Sequence, residues 1–256
     1  YTYYSFSNGG QTESVQNAWN GENQPYLIVQ DDPFDLASKM TLDKTFRIEK
    51  DLMHGNVPDA LMELISRRAV EKLLAEGYAA TTENTSLIWL ESIKLHTPRF
   101  AAPSKLYTKA DFSLMTETVS AGGNRQVAPL TVTLDVFEEL EGMLDLSLHS
   151  DPNELWSLSG DEGSFTIRAA RYGHGVGLSQ YGAAEMAEQG YACEYILGFY
   201  YPGMDLLRFS FAPQALPAAE TALSATAGPA PTVTPRPTLM PVTKEAAPGQ
   251  WYATVT

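Results

Sequence analysis

From about Ala212 to Gly249 the sequence is dominated by Pro, Ala and Thr, as in "ATAGPAPTVTPRPTLMPV". Such a stretch has almost no large apolar side chains to bury, and its prolines hold the backbone extended. It therefore reads as a linker over 212–249 and confines the folded domain to residues 1–211. Residues 250–256 then read as the start of a further domain, a strand with nothing to pair against.

Within 1–211 the pattern is mixed, and the expected fold class is α+β, strand-rich with a few helices. Tyr1 to Ser7 reads as a strand stopped at Asn8-Gly9-Gly10, and "PYLIVQ" as a second strand ended by Asp31-Asp32-Pro33. Between Pro58 and Glu76, Leu61, Leu64, Ile65, Ala69, Leu73 and Leu74 recur at helical spacing, with Gly77 as the stop. The segments 86–95, 111–119, 130–137, 154–159 and 164–170 are rich in β-branched and aromatic residues and predict strands. Ala183 to Gln189 predicts a helix ended by Gly190, "CEYILGFYYPG" a short amphipathic helix, and 204–211 a last strand.

The net charge of −14 over 256 residues would repel a polyphosphate backbone, which argues against a nucleic-acid partner. Cys193 is the only cysteine, so neither an internal disulfide nor a cysteine zinc site can form. No apolar run has the length of a membrane span, and "YTYYSF" is β-prone from its first residue, so the chain reads as a fragment of a longer protein.

The densest cluster of chemistry is "RYGHGVGLSQYGAAEMAEQG", Arg171 to Gly190. A strand, glycines and a helix in that order invite a dinucleotide loop, but Gly173, Gly175 and Gly177 are spaced G-x-G-x-G, with Leu178 where the third glycine should stand. His54, His96, His149 and His174 form no H-x-x-H or H-x-x-x-H pair, so no metal or other cofactor is expected. Two readings remain open on the residues alone. In one, glycines flanking His174 admit a polymeric ligand to the backbone, Ser179 caps a helix, and Gln180 and Tyr181 present polar and aromatic surface to a carbohydrate. In the other, His174 is a packed histidine, Ser179 only a cap, and the glycines serve close packing.

As a whole string, "GHGVGLSQYGAAEMAEQGYACEYILGFYYPG" resembles the C-terminal signature of the stage II sporulation protein D (SpoIID)/LytB family, G-H-G-V-G-M-S-Q-x-G-A, then M-A-x-x-G, then I-L-x-x-Y-Y-P-G. The opening resembles an earlier part of that domain, S-x-S-x-G-G-x-T-E, here Ser5, Ser7, Gly9, Gly10, Thr12 and Glu13, then Trp19 and Pro25-Tyr26-Leu27. The resemblance covers roughly residues 1–36 and 154–211. It implies a domain acting on bacterial peptidoglycan, either as a lytic transglycosylase or as an enhancer of an amidase partner, with a plain cell-wall glycan-binding module as the further alternative. Partners so implied are glycan strands and other cell-wall hydrolases or sporulation proteins, at an extracytoplasmic or cell-wall location. Substrate-binding residues so implied are Ser5, Ser7, Gly9, Gly10, Thr12, Arg171, Tyr172, His174, Ser179, Gln180 and Tyr181, with Arg171 meeting a carboxylate or acetamido group of the glycan. In the transglycosylases of the family a glutamic acid protonates the glycosidic oxygen and a sugar hydroxyl closes an anhydro ring. That acid belongs to a V-x-x-E-M-P segment upstream of S-x-S-x-G-G, so it is assigned to no residue of this chain. "WYATVT" is similar to the opening of a bacterial SH3-type wall-binding domain.

Overall fold

The computed structural model describes residues 2–209 and 250–254. In chain order its elements are β1 (Tyr4–Ser5), α1 (Val15–Trp19), α2 (Pro33–Ala37), β2 (Asp43–Glu49), α3 (Asp59–Ala75), β3 (Ser86–Pro98), β4 (Tyr107–Val119), β5 (Arg125–Asp135), a π turn over Val136–Leu140 leading into α4 (Glu141–Met143), β6 (Leu155–Gly160), β7 (Ser164–Ala170), β8 (Leu178–Ser179), α5 (Gln180–Glu188), α6 (Cys193–Tyr200), β9 (Asp205–Phe209) and β10 (Gln250–Thr254). This is the α+β, strand-rich class expected. The chain divides into one unit over Tyr1–Gly203 and another over Met204–Thr256.

The core of the first unit lies under an antiparallel meander, β3-β4-β5. Alternation along β4 buries Ala110, Phe112, Leu114, Thr116 and Thr118, while β5 adds Ala128, Leu130, Val132 and Leu134. In β3 the pairing slips once after Leu87 and again after Leu90. Each slip inserts one unpaired residue, which lets Leu87, Leu90 and Ile93, three apart, all be buried. The apolar stripe of α3 (Leu61, Leu64, Ile65, Ala69, Leu73) joins the same cluster, each buried aliphatic side chain contributing roughly 1.5–3 kcal/mol. A second antiparallel sheet, β2-β7-β6, adds Ile48, Ile167, Ala169 and Trp156 to that core. The end of β7 leads straight into the glycine-rich segment.

Two expectations change, and one strand was not foreseen. The first strand contracts to β1, which pairs in parallel with β8, Tyr4 opposite Leu178. Its remaining residues turn away because their side chains are drawn into polar contacts described below. "PYLIVQ" is not a strand: only Asp31 bridges to Gln11, with flanking bonds from Thr12 N to Gln30 O and from Asp32 N to Gly10 O. Tyr26 and Leu27 are buried through a turn instead. β2, "DKTFRIE", carries no apolar alternation beyond Phe46 and Ile48, and it is a strand because β7 offers it a full ladder from Asp43–Ala170 to Glu49–Ser164.

In the second unit β10 pairs antiparallel with β9, Gln250 opposite Phe209 and Thr254 opposite Asp205. The terminal segment expected to stand unpaired thus has its partner within this chain. The Pro/Ala/Thr-rich stretch expected as a linker lies outside the described residues. Among the described residues no helix is long and apolar enough to cross a membrane.

Candidate functional site

The two sequence motifs, more than 160 positions apart, meet around the N-terminus of α2. Asp32 caps that helix by accepting from Asp35 N (3.0 Å), and Pro33 supplies the preset first turn. Asp35, fully buried, then receives three donors: Ser7 Oγ (2.9 Å) and Gly10 N (3.2 Å) at Oδ2, and Ser179 Oγ (2.7 Å) at Oδ1. One carboxylate therefore holds both motifs. Asn8 extends the joint, donating to Asp32 Oδ2 (3.3 Å) and Gly177 O (3.2 Å) while accepting from Ser5 Oγ (2.7 Å). Burial, reinforced by the Asp35 charge, pushes the Asp32 carboxyl up to about 6.

Arg171 is the second fixed point. Its side chain is only 1% exposed, donating to the carbonyls of Asn8 (Nε, 3.1 Å) and Gln11 (Nη2, 2.9 Å) with Glu13 Oε2 at 3.8 Å. These contacts hold its backbone at φ 111°, a strained value for a residue with a side chain. Burial lowers the guanidinium to about 10, opposed by the Glu13 charge, so it stays cationic at neutral pH. Glu13 is equally committed, accepting from Ser14 N (3.0 Å), Asn17 Nδ2 (2.7 Å) and Ser104 Oγ (3.4 Å).

These contacts correct several expected roles. Arg171 is held by the protein's own groups, Nε and Nη2 donating to backbone carbonyls and Nη1 lying beside Glu13, rather than standing free on the surface. Ser5, Ser7, Thr12 and Ser179 are likewise buried. Thr12 Oγ1 donates to Ile28 O (2.7 Å), and Ser179 Oγ also caps α5 by accepting from Gly182 N (3.0 Å). The glycines beside His174 make room for the chain itself. A Cβ at Gly173 would lie 2.9 Å from Ser5 Cβ, and one at Gly175 2.9 Å from Arg171 Nε. Gly9 and Gly10 are filled in the same way, by the Ala170 carbonyl and the Leu36 side chain.

The groups left facing outward are fewer. Tyr172, His174, Gln180 and Tyr181 are each partly exposed. His174 accepts from Val176 N through Nδ1 (3.0 Å) and packs against Trp19 (ring centroids 4.7 Å apart) and Tyr3 (6.3 Å). Burial lowers its pKa, with the Arg171 charge acting in the same sense, so the ring is neutral at pH 7. Phe6, about half exposed, lies between Tyr172 (5.8 Å) and Tyr181 (6.1 Å). The two motifs thus gather two groups of rings, Tyr3 with Trp19 and His174, and Phe6 with Tyr172 and Tyr181.

Beside His174 opens a cavity of about 330 Å³ lined by Glu13, Asn17, Trp19, Arg99 and Asn153, among others. Sequence reasoning missed Asp35, Trp19 as a ring partner of His174, and Asn153. Asp35 had no signal beyond its place after a cap-Pro pair, and Asn153 none at all. Among the described residues no group of three or more His, Cys, Asp or Glu could hold a metal ion.

No protein-family model matches the chain. It is 26% identical over 211 residues to the amidase enhancer of Bacillus subtilis (strain 168), a match covering 80% of this chain and 29% of that protein. With the stage II sporulation protein D of the same organism it shares 30% identity over 153 residues, 52% of this chain and 43% of the relative. A third match, 49% over 51 residues, is to the stage II sporulation protein D of Bacillus amyloliquefaciens, and covers 20% of this chain and 14% of the relative. The chain spans less than half the length of each of these relatives.

Proposed function

Since the chain belongs with the SpoIID/LytB family, we propose that it supplies the glycan-facing part of a domain acting on the bacterial cell wall. The observation that carries this reading is the two groups of partly exposed rings that the two motifs gather, one of them around a neutral His174. Partly exposed rings held by a buried polar frame offer flat apolar surface to the C–H faces of sugars, and Gln180 and the tyrosine hydroxyls offer hydrogen bonds at its edges. A rigid frame lowers the entropic cost of binding, because the rings need not be ordered by the ligand.

Within that reading the domain belongs to an extracytoplasmic, wall-associated protein, and its partner is the peptidoglycan glycan strand. The transglycosylase activity implied by the resemblance requires an acid that this chain does not present at the face. Glu13, the glutamate of the N-terminal motif, has its carboxylate oxygens taken by Ser14, Asn17, Ser104 and Arg171. The non-enzymatic reading, in which the face binds glycan to assist an amidase, is favoured by the match that covers most of the chain, that to the amidase enhancer.

The test is co-sedimentation of the 256-residue chain with purified, peptide-stripped peptidoglycan glycan strands, combined with analysis of soluble products. Wild type should bind and release no anhydro-sugar products, and His174→Ala should remain folded and bind at least tenfold more weakly. Failure of wild type to bind, or loss in His174→Ala of thermal stability alone, refutes the proposal. Release of anhydro products refutes the statement that the acid is not presented here.

A further inference from the structure

The loop between α4 and β6 forms one wall of the cavity beside His174, lining it with Asp151, Pro152 and Asn153. Both ends of this loop are tied to a single carboxylate: Leu148 N donates to Glu154 Oε1 (2.8 Å) and Asn153 N to Glu154 Oε2 (3.2 Å). Two further bonds join it to other parts of the domain, Arg99 Nη1 donating to Pro152 O (2.8 Å) and Asn153 Nδ2 to Gly173 O (3.3 Å). Inside the closed loop His149 Nε2 and Asn153 Oδ1 are shielded from solvent without a hydrogen-bond partner. Closure leaves these polar groups unsatisfied, so the loop stays shut only while its few ties hold.

The ties converge on a buried pair of carboxyl groups. Glu154 is fully buried and bonds with Glu141, itself buried in α4. Two carboxyls in contact away from water cannot both ionise, so one proton is held between them. Both oxygens of Glu154 accept from backbone amides, whereas no described donor reaches Glu141 Oε1, which puts the proton on Glu141, donating to Glu154. Of the charged groups around the pair, Arg171 acts on Glu154 and Arg99 on Glu141, while His149 and Asp151 belong to the loop itself. Arg171 is committed to its own frame, but Arg99 is exposed, lies over the Phe137 ring (4.6 Å) on the turn leading into α4, and forms no ion pair among the described residues. It is a cation free to change partner.

We propose that Glu141 and Glu154 form a proton-operated latch on loop 147–153: with the proton in place the loop closes one wall of the cavity, and its loss draws Arg99 from Pro152 O to Glu141 and releases the loop. Loss of the proton also sets two like charges together, which pushes Glu154 off the Leu148 and Asn153 amides. The Glu141 carboxyl is raised from 4.5 to about 8, first by burial and then by Glu154. The closed loop thus binds the proton more tightly than an open one, and closure weakens as pH rises from 4.5 towards 8. The latch goes beyond the glycan-binding reading and does not depend on it.

The experiment is amide hydrogen exchange on the full 256-residue chain, read residue by residue by NMR and expressed as protection factors, which removes the intrinsic pH dependence of exchange. Between pH 6 and pH 8 the protection of the Leu148 and Asn153 amides should fall at least tenfold in wild type. At pH 8 both should also be at least tenfold less protected than Phe112 and Leu114 in β4, because the loop opens without the core. Glu141→Gln, which keeps a donor to Glu154 at every pH, should hold the loop at its pH 6 protection up to pH 8. Arg99→Gln, at an exposed position where folding is little affected, should lower the protection of Asn153 at pH 6 about fivefold. An equal fall with pH in wild type and Glu141→Gln, unchanged protection in Arg99→Gln, or loop amides as protected as those of β4 overturns the latch.

Discussion

Replacing Asp35 by Asn keeps the shape of the buried side chain and removes what holds the two motifs together. The carboxylate accepts from Ser7 Oγ, Gly10 N and Ser179 Oγ at 2.9, 3.2 and 2.7 Å. In the amide one of the two oxygens becomes an NH2 group, which meets at least one donor head-on. The remaining bonds lose their charge assistance. One lost hydrogen bond to a charged acceptor is about 1.5–3 kcal/mol, and one orphaned buried donor a further 1–3 kcal/mol. Relief of the repulsion between Asp35 and Asp32 returns part of this, so the expected net cost is about 2–4 kcal/mol. For a domain of this size that corresponds to a fall in Tm of roughly 10 °C. Urea unfolding followed by far-UV circular dichroism reads the change as a shift in midpoint at constant m. Asp145→Asn, an exposed partner of Lys44, is the control and should stay within about 0.5 kcal/mol. Hydrogen exchange adds the decisive readout: protection should fall in both 7–10 and 177–182, because one side chain ties both. A cost under about 0.5 kcal/mol, or loosening of only one segment, would refute the keystone role of Asp35.

Two further perturbations test the frame and the core. Glu141, buried beside Glu154, has its carboxyl raised from 4.5 to about 8, first by burial and then by the neighbouring carboxylate. Its folded pKa exceeds the unfolded one, so the native state holds more protons between those values and stability falls as pH rises from 4.5 towards 8. Glu141→Gln should therefore flatten the fall of Tm with pH and lie above wild type at pH 8; parallel curves for the two proteins would exclude this. Gly177→Ala would set a Cβ 2.2 Å from Tyr3 O at φ +74°. It should part β1 from β8, lowering Tm by several degrees and loosening the ring contacts of Tyr3, and an unchanged Tm would contradict the packing described.

Where one apolar period ruled, the elements were legible. The stripe Leu61, Leu64, Ile65, Ala69, Leu73 specifies α3, expected from Pro58 to Glu76 and found over Asp59–Ala75, because burial on one face requires the 3.6-residue repeat. β7 was read over the residues at which it occurs, 164–170. β2 was not legible, since its ladder comes from a strand about 120 positions away and its own side chains alternate weakly. "PYLIVQ" misled because β-branched residues favour a strand only where a partner strand is present.

At the site the sequence alone determined which residue types gather in the two motifs, the cap at Ser179, and the resemblance that joins them to a family. It could not decide which of those residues look inward, because a serine, an arginine or a glycine has the same local propensities whether its partner is solvent or a carbonyl far along the chain. Only the tertiary structure turned Ser7, Ser179 and Arg171 into a buried frame around Asp35 and Glu13, and left His174, Trp19, Phe6, Tyr172 and Tyr181 to face outward. The reason is energetic: a buried donor must find an acceptor, and the acceptors that satisfy these donors are brought within reach only when the two ends of the domain meet.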